Sequence, residues 1–474
     1  MASINKDLKR LEREEQVRKH LIIIITTVVL VIAALITAVV IRVRVKKAEA
    51  VRAAEEAARA EEEARLAAEE AARLAAEEAS RIHFPEDPSY TEKVTILSTG
   101  DNLIHESLYR DAETEDGYDF RPMYELVRDD IRAADVATVN METPIADSIA
   151  AISGYPSFNT PHEAGDALID AGFDVINQGN NHVLDMGVSG LYATLDYWDE
   201  EGIPYVGAYR DMDDLLTRRI VERNGVKVAF LSFVQTSMNN ENVPENEGYE
   251  ILTFFDESMM EDLIADAREN ADVVVAHVHW GVEDEDIITD QMNDMAQKMV
   301  DWGVDIIFGN HTHVLQELRV LQRAEDGAYC PVLFSGGNFL SGQQSRDHLI
   351  SGLMTVTAAR NPETGDTQIQ KVAFRPIITH YEGDRENVKI YPVDEYTEEL
   401  AAEHGVKLED EPLTMDFINR TVEAHISSQF LKEGVPQKEQ KETVSLTGEE
   451  AGEETGEEAE EAEAEEAASS EEES

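Results

Sequence analysis

Two histidines two positions apart close an apolar run in Asp305-Ile306-Ile307-Phe308-Gly309-Asn310-His311-Thr312-His313-Val314-Leu315-Gln316. On a loop leaving a strand both rings can reach one point in space, and neutral imidazole is the commonest side-chain ligand for transition metals. A second pair stands in Val273-Val274-Val275-Ala276-His277-Val278-His279-Trp280-Gly281, and Asn180-Asn181-His182 follows the apolar Phe173-Asp174-Val175-Ile176. Carboxylates end two further runs, in Gly100-Asp101-Asn102 and in Asn140-Met141-Glu142-Thr143-Pro144. Side chains alternate along a strand, so His277 and His279 share a face, one a candidate ligand and the other its neighbour or a core residue. Carboxylates, an Asn oxygen and imidazoles make a hard-to-borderline ligand set, suited to Mn, Fe, Zn or Mg. Each cluster alone reads equally well as turn chemistry or helix capping. The repetition of strand followed by ligand points to one metal centre.

The elements that must position these groups follow from the apolar runs 94–97, 136–139, 175–176, 226–233, 273–277, 306–308 and 332–334. Helical patterns lie between several of them, at 123–134, 163–171, 190–201 and 257–269. Strand and helix alternating in this way predict an α/β domain. In open α/β sheets ligands bind beyond the carboxyl ends of the strands, so all five clusters are expected on one rim. From 349 to about 392 the pattern changes to strands with polar turns, such as 354–357 and 372–376, which are expected to close a second sheet. A last helix is expected at 416–429.

The 474 residues carry 40 Lys and Arg against 98 Asp and Glu, a formal net charge of -58. That balance argues against nucleic acid as a partner, since a phosphate backbone attracts Lys and Arg. One cysteine, Cys330, excludes an intrachain disulfide and a multi-Cys zinc site. Residues 1–20 form a basic tail, and 21–41 is an uncharged run long enough to cross a bilayer core of ~30 Å. The run is too long for a signal-peptide core, and Arg42-Val43-Arg44-Val45-Lys46-Lys47 offers no small-residue cleavage site. Basic residues are nearly tied on its two flanks, so the positive-inside rule does not set the orientation. A short tail inside and a large domain outside is the simpler topology.

Residues 46–82 are Ala, Glu and Arg, with Glu55, Glu61, Glu69 and Glu77 each four positions before an arginine. This is the favourable direction for helical i,i+4 pairs. Leu66 and Leu74 make no heptad seam, so the stretch reads as a lone helical stalk of about 55 Å rather than a coiled coil. Pro85 and Pro88 end it, and the folded domain is expected over 93–430. Residues 440–474 are dominated by Glu with almost no large apolar residue, and are expected to be disordered.

Six motifs in order resemble the CapA family of capsule-biosynthesis proteins, implicated in making poly-γ-glutamate. They are Gly100-Asp101, Asn140-x-Glu142-x-Pro144, Asn181-His182-x-x-Asp185-x-Gly187, His279-Trp280-Gly281-x-Glu283, Gly309-x-His311-x-His313-Val314-x-Gln316 and Gly337-Asn338-Phe339. The resemblance covers roughly 94–392. It implies a calcineurin-like metallophosphoesterase fold, an αββα sandwich of two mixed sheets flanked by helices. It also implies an extracytoplasmic domain on a membrane anchor, with poly-γ-glutamate synthase subunits or the polymer as partners. Carried over by position, Asp101, Glu142, Asn181, His279, His311 and His313 would hold one or two divalent metals. His182 would contact substrate as the proton donor, with Asn140, Asp185, His277, Glu283 and Asn338 in support. Two departures from ordinary dinuclear phosphoesterases are plain: Leu103 stands where their Asp-x-His motif has His, and Asn140-Met141-Glu142 replaces Gly-Asp-x-x-Asp. The expected functions are a metal-dependent hydrolase in capsule or poly-γ-glutamate biosynthesis, a non-catalytic metal-binding subunit of the synthase, or a cell-surface metallophosphatase.

Overall fold

The computed structural model describes residues 2–79, 81–235, 256–406 and 412–431. The expectation of a disordered tail at 440–474 lies outside the described residues. Ala2–Ala79 is one continuous helix of 78 residues, so the basic tail, the apolar run and the stalk share a single element. Within it Arg13–Lys47 is long and apolar enough to cross a membrane, by length and composition. The helix ends three residues before the expected stop at Ile82. The four glutamates of the expected i,i+4 pairs have side chains outside the described set. The pairs seen are at i,i+3, Arg65 with Glu62 and Arg81 with Glu78.

The strands, in chain order, are β1 Glu92–Asn102, β2 Glu113–Thr114, β3 Gly117–Tyr118, β4 Val136–Met141, β5 Val175–Asn177, β6 Tyr205–Val206, β7 Ile220–Arg223 and β8 Val226–Val234. They continue with β9 Val273–His279, β10 Ile306–Asn310, β11 Leu318–Gln322, β12 Tyr329–Leu333, β13 Asn338–Leu340, β14 Ile350–Arg360, β15 Thr367–Glu382 and β16 Glu386–Pro392. The first sheet runs β16-β15-β14-β1-β4-β5-β6, with β13 paired to the end of β1. The second runs β11-β12-β10-β9-β8-β7. In the first, the parallel strands β1-β4-β5-β6 form one half and the antiparallel β14-β15-β16 the other, and in the second the parallel β8-β9-β10-β12 lie between the antiparallel β7 and β11. This is the αββα sandwich that the resemblance implies. The late strands β14, β15 and β16 extend the first sheet, instead of closing a second one.

Alternation along β9 explains the layering. Val274, Ala276 and Val278 join Met260, Ile264, Met292, Met295 and Met299 in one apolar cluster, so this face is covered by the helices Glu257–Asn270 and Asp290–Trp302. Val273 and Val275 belong instead to the cluster that holds Val94, Ile96 and Val136 of the first sheet. His277 and His279 therefore point between the sheets. The helix at 163–171 lies where expected, and the expected helix at 123–134 is two short pieces, Arg121–Tyr124 and Arg128–Ala133. The last helix is Met415–His425, four residues shorter at its end than expected.

Candidate metal centre

Parallel register brings the strand ends together. Asp101 lies beside Asn140 across β1 and β4, Asn140 beside Asn177 across β4 and β5, and His279 beside Asn310 across β9 and β10. Two close approaches admit only glycine. A Cβ on Gly100 would sit 1.8 Å from the Gly337 carbonyl oxygen, and one on Gly309 would sit 1.9 Å from that of Phe334. These glycines let β1 and β10 deliver Asp101 and Asn310 into a crowded inter-sheet edge.

A ladder of amides orients the carboxylates. Asn177 Nδ2 donates to Asn140 Oδ1 at 2.9 Å, and Asn140 Nδ2 donates to Asp101 Oδ1 at 2.8 Å and to Glu142 Oε2 at 3.0 Å. Asn310 Nδ2 donates to Asp101 Oδ1 at 2.8 Å, and the His311 amide donates to Asp101 Oδ2 at 3.1 Å. Glu142 Oε1 faces His279 Nε2 at 3.6 Å and His313 Nε2 at 3.8 Å. His313 Nδ1 lies 3.3 Å from Asp101 Oδ2, and His279 Nε2 lies 3.1 Å from Asn181 Oδ1. Asn181 Nδ2 in turn donates to Glu283 at 3.2 Å.

Two triads result, Glu142 with His279 and His311, and Asp101 with Glu142 and His313, each with ligand atoms within 4.8 Å of one another. Glu142 belongs to both. All five side chains are at most 5% exposed. Glu142 Oε1 and the Nδ1 atoms of His279 and His311 are buried without a hydrogen-bond partner among the described residues. Such atoms cost free energy unless something satisfies them. The donor set is that of a divalent cation, and the unpartnered Glu142 Oε1 faces the Nε2 atoms of His279 and His313. The residues therefore fit one or two metals shared through Glu142.

The electrostatics agree. Burial and the nearby charge of Asp101 hold the Glu142 carboxyl well above its ordinary range. Burial would also raise Asp101, but the hydrogen bond and charge of His313 outweigh it and hold that carboxyl low. Burial pushes His279 far down and His311 down to about 3, which keeps both rings neutral and able to coordinate. Burial opposes protonation of His313, yet Asp101 raises it. Backbone strain falls on the same residues: φ is +99° at His311 and +62° at His313. A non-glycine residue in such a conformation costs about 1–3 kcal/mol, and these costs concentrate at functional sites.

His182 flanks the centre. Its Nδ1 lies 2.8 Å from Asp185 Oδ2, which also accepts the Phe158 amide, and the ring packs edge-on to Phe158 at 4.9 Å. That contact fixes the ring and its tautomer, with Nε2 on the opposite edge of the ring. His277 belongs to neither triad. Its Nε2 meets Thr138 Oγ1 at 3.0 Å across the sheets, a core role. Asn338 Nδ2 donates to Gln343 and to the His348 carbonyl, supporting the loop beside β1. Leu103 is buried and supplies no ligand. The roles of Asn177 and Asn310 were not anticipated, although both residues stand at strand ends in register with Asn140 and His279.

The model of the family described as bacterial capsule synthesis protein PGA_cap matches residues 95–343. PGA biosynthesis protein CapA of Bacillus subtilis is 27% identical over 262 residues, which cover 55% of this chain and 66% of that protein. Capsule biosynthesis protein CapA of Bacillus anthracis is 28% identical over 262 residues, covering 53% of this chain and 61% of that protein. The chain thus spans less than two thirds of the length of either relative. Among solved structures, the NAD nucleotidase NadN of Haemophilus influenzae aligns with a TM-score of 0.39 at 13% identity, over 72% of this chain and 57% of its own. The sulfate thiohydrolase SoxB of Thermus thermophilus aligns with a TM-score of 0.34 at 15% identity, over 72% of this chain and 61% of its own.

Proposed function

Because the chain belongs to the bacterial capsule synthesis protein PGA_cap family, we propose that it is a membrane-anchored, extracytoplasmic protein of capsule or poly-γ-glutamate biosynthesis and a metal-dependent hydrolase. The observation that carries the hydrolase reading is the pair of buried triads joined at Glu142. Asp101 and His313 would hold one ion, His279, His311 and Asn181 the other, and Glu142 both. When bound, divalent ions lower the pKa of a water and offset charge that develops on a transferring phosphoryl or acyl group. The chain's own residues supply the rest. Asn140 and Asn310 fix the carboxylates, the closed sheets exclude bulk water, and His182 gives a proton to the leaving group from Nε2 while Asp185 steadies Nδ1. Residues 21–41 cross the membrane, and the stretch 46–82 holds the domain over 93–430 away from it.

A second reading rests on Leu103, which removes a histidine from the first motif. One weakened site suits a non-catalytic subunit that uses metal for structure or for gripping the polymer. Metal analysis of the purified protein, joined to a hydrolysis screen of γ-glutamyl chains and phosphate esters, separates the two. Metal with turnover supports the hydrolase. Metal at full occupancy without turnover moves the assignment to the subunit, and cleavage of phosphate esters alone to a surface phosphatase. A protein that binds no divalent metal at micromolar concentrations removes the metalloenzyme reading.

A further inference from the structure

Two buried side chains beside the centre each keep one polar atom without a partner. His348, 9% exposed, stands in the short 3₁₀ turn Arg346–Leu349, and its Nδ1 has no hydrogen-bond partner among the described residues. Asn338, 0% exposed, opens β13, and its Oδ1 has none either. The two residues touch. Asn338 Nδ2 donates to the His348 carbonyl oxygen at 3.2 Å and to Gln343 Oε1 at 2.7 Å. A carbonyl oxygen only accepts, so the orientation of the amide is fixed and Oδ1 is its unpartnered end. The His348 ring is fixed in the same way. Its Nε2 lies 2.6 Å from Asp284 Oδ1. A carboxylate accepts, so Nε2 carries the proton and Nδ1 keeps the lone pair of a neutral ring. Burial opposes a second proton and outweighs the pull of Asp284.

Both residues are pinned to the metal-bearing edge, one from each sheet. Asn338 stands beside Asp101 in the parallel register of β1 and β13, and the Asp101 amide donates to the Gly337 carbonyl at 2.8 Å. Asp284 turns with φ at +65° and donates its amide to the carbonyl of Thr312 at 2.9 Å. Thr312 is the residue between His311 and His313. The two acceptors therefore lie on the Asp101 and His313 side of the centre, across from no donor of their own. Leaving them unsatisfied costs free energy, and what satisfies them must donate. An N–H group does so. The dianion of a phosphate ester has no proton to give, and the charges of Asp284 and Asp347 around the ring oppose it further.

We propose that Asn338 and His348 form an acceptor subsite on the Asp101–His313 side of the metal centre, which takes an N–H donor from the substrate. The proposal rests on the hydrolase reading above and narrows it, toward acyl chains that bear nitrogen and away from phosphate esters. In a γ-linked glutamyl chain the donor is an internal amide or the terminal ammonium, with the carboxylates turned away from Asp284 and Asp347.

The test is calorimetric binding to the metal-free full-length chain in detergent, where no cleavage intervenes. The probes are a γ-linked glutamate hexamer, the same hexamer acetylated at its amino end, and methyl phosphate at about pH 8, above the second phosphate pKa of ~6. His348→Gln keeps a donor for Asp284 and removes the acceptor at the Nδ1 position, and His348→Asn does the reverse. Hexamer binding should weaken about fivefold or more in His348→Gln and in Asn338→Ala, and less in His348→Asn. Stability should fall in the other order, more in His348→Asn than in His348→Gln, whereas a purely structural histidine would give one order in both measurements. Metal capacity should be unchanged in the His348 variants. Hexamer binding that is equal in wild type and His348→Gln overturns the subsite, assigns both acceptors to buried water and leaves the polymer reading standing. Methyl phosphate binding that falls in His348→Gln also overturns it, by making the place an anion site. Loss of binding on acetylation keeps the subsite with the ammonium as donor, and equal binding keeps it with an internal amide. A wild type that binds neither hexamer overturns the subsite, while turnover of γ-glutamyl chains in the hydrolysis screen would still uphold the hydrolase.

Discussion

Replacing Glu142 by Gln tests the two-triad geometry most sharply, because metal-free stability and metal capacity should move in opposite directions. Glu142 is 0% exposed, its Oε1 has no hydrogen-bond partner, and Asp101 lies on the same amide. Gln matches the protonated acid in shape. Its oxygen can still accept from Asn140, while its amide can reach the imidazole nitrogens that face Oε1. Replacing buried charge by a neutral group of similar volume is often neutral to stabilising, by about 1–4 kcal/mol. Denaturant unfolding of the metal-free protein near neutral pH should therefore find Glu142→Gln at least as stable as wild type. The pH dependence has a definite sign. The folded carboxyl titrates above its ordinary value of 4.5, so wild type has the full stabilising contribution of the protonated group below 4.5 and loses it as pH rises through the raised value. The advantage of the variant should vanish at acid pH. Metal reverses the ranking. At about one hundred times the dissociation constant each bound ion adds roughly 2.7 kcal/mol, and Glu142→Gln should gain none of it. Elemental analysis should find about two ions per wild-type chain, one in His311→Ala or His313→Ala, and none in Glu142→Gln, if both triads coordinate. A variant that keeps either ion, or that is markedly less stable without metal, would refute the shared-carboxylate argument.

His182→Ala should retain its metal and lose turnover by about 10²–10⁴ on whichever substrate the wild type cleaves, a kinetic measurement in which equal loss of metal would refute the proton-donor role. The metal-free domain should lose stability as pH falls from 6.5 towards 4, because burial holds folded His277 at about 4 and His311 at about 3 while the unfolded rings take up protons first. Ring resonances of His277 and His311 that titrate near 6.5 in the folded metal-free domain would show that these rings are not held neutral. Protease added to cells stripped of any outer wall should remove the domain over 94–392, and full protection behind an intact membrane would reverse the proposed orientation. A peptide of residues 46–82 should be helical and monomeric, and a stable dimer in sedimentation would replace the lone stalk by a coiled coil.

The parts of this site that were legible in the sequence are those where local pattern and chemistry coincide. An apolar run that stops at His311 or Asp101 announces both a strand and what its end presents. Period-two alternation put His277 and His279 on one face, and β9 confirms that placement. Alternation could not tell which of the two reaches the ion. That depends on the opposite sheet, where Thr138 meets His277 and Glu142 faces His279. Asn177 and Asn310 were hidden for a related reason, because their work is done across a ladder whose register only the folded sheets define. The unbroken helix Ala2–Ala79 shows the opposite limit. Alanine and charged pairs continue the same period that the apolar run begins, so a change of environment leaves no mark on the backbone.

The chemistry of the two triads follows from Leu103. With no histidine at that position, the half of the centre built on Asp101, Glu142 and His313 is rich in oxygen, with two carboxylates and one ring. The half built on Glu142, His279 and His311 has two rings, and Asn181 Oδ1 lies 3.1 Å from one of them. Hard cations such as Mg and Mn prefer the first kind of site, and Zn or Fe the second. One shared carboxylate thus joins two unequal positions, which a symmetric pair of like ions would not exploit. The strain at His311 and His313 fits the same division. The two rings are separated by a single residue and serve different halves, so the chain must turn sharply between them, and the left-handed conformations at both positions make that turn. A glycine would relieve the backbone at either position and carry no ligand. The strain is therefore retained where coordination would require a side chain.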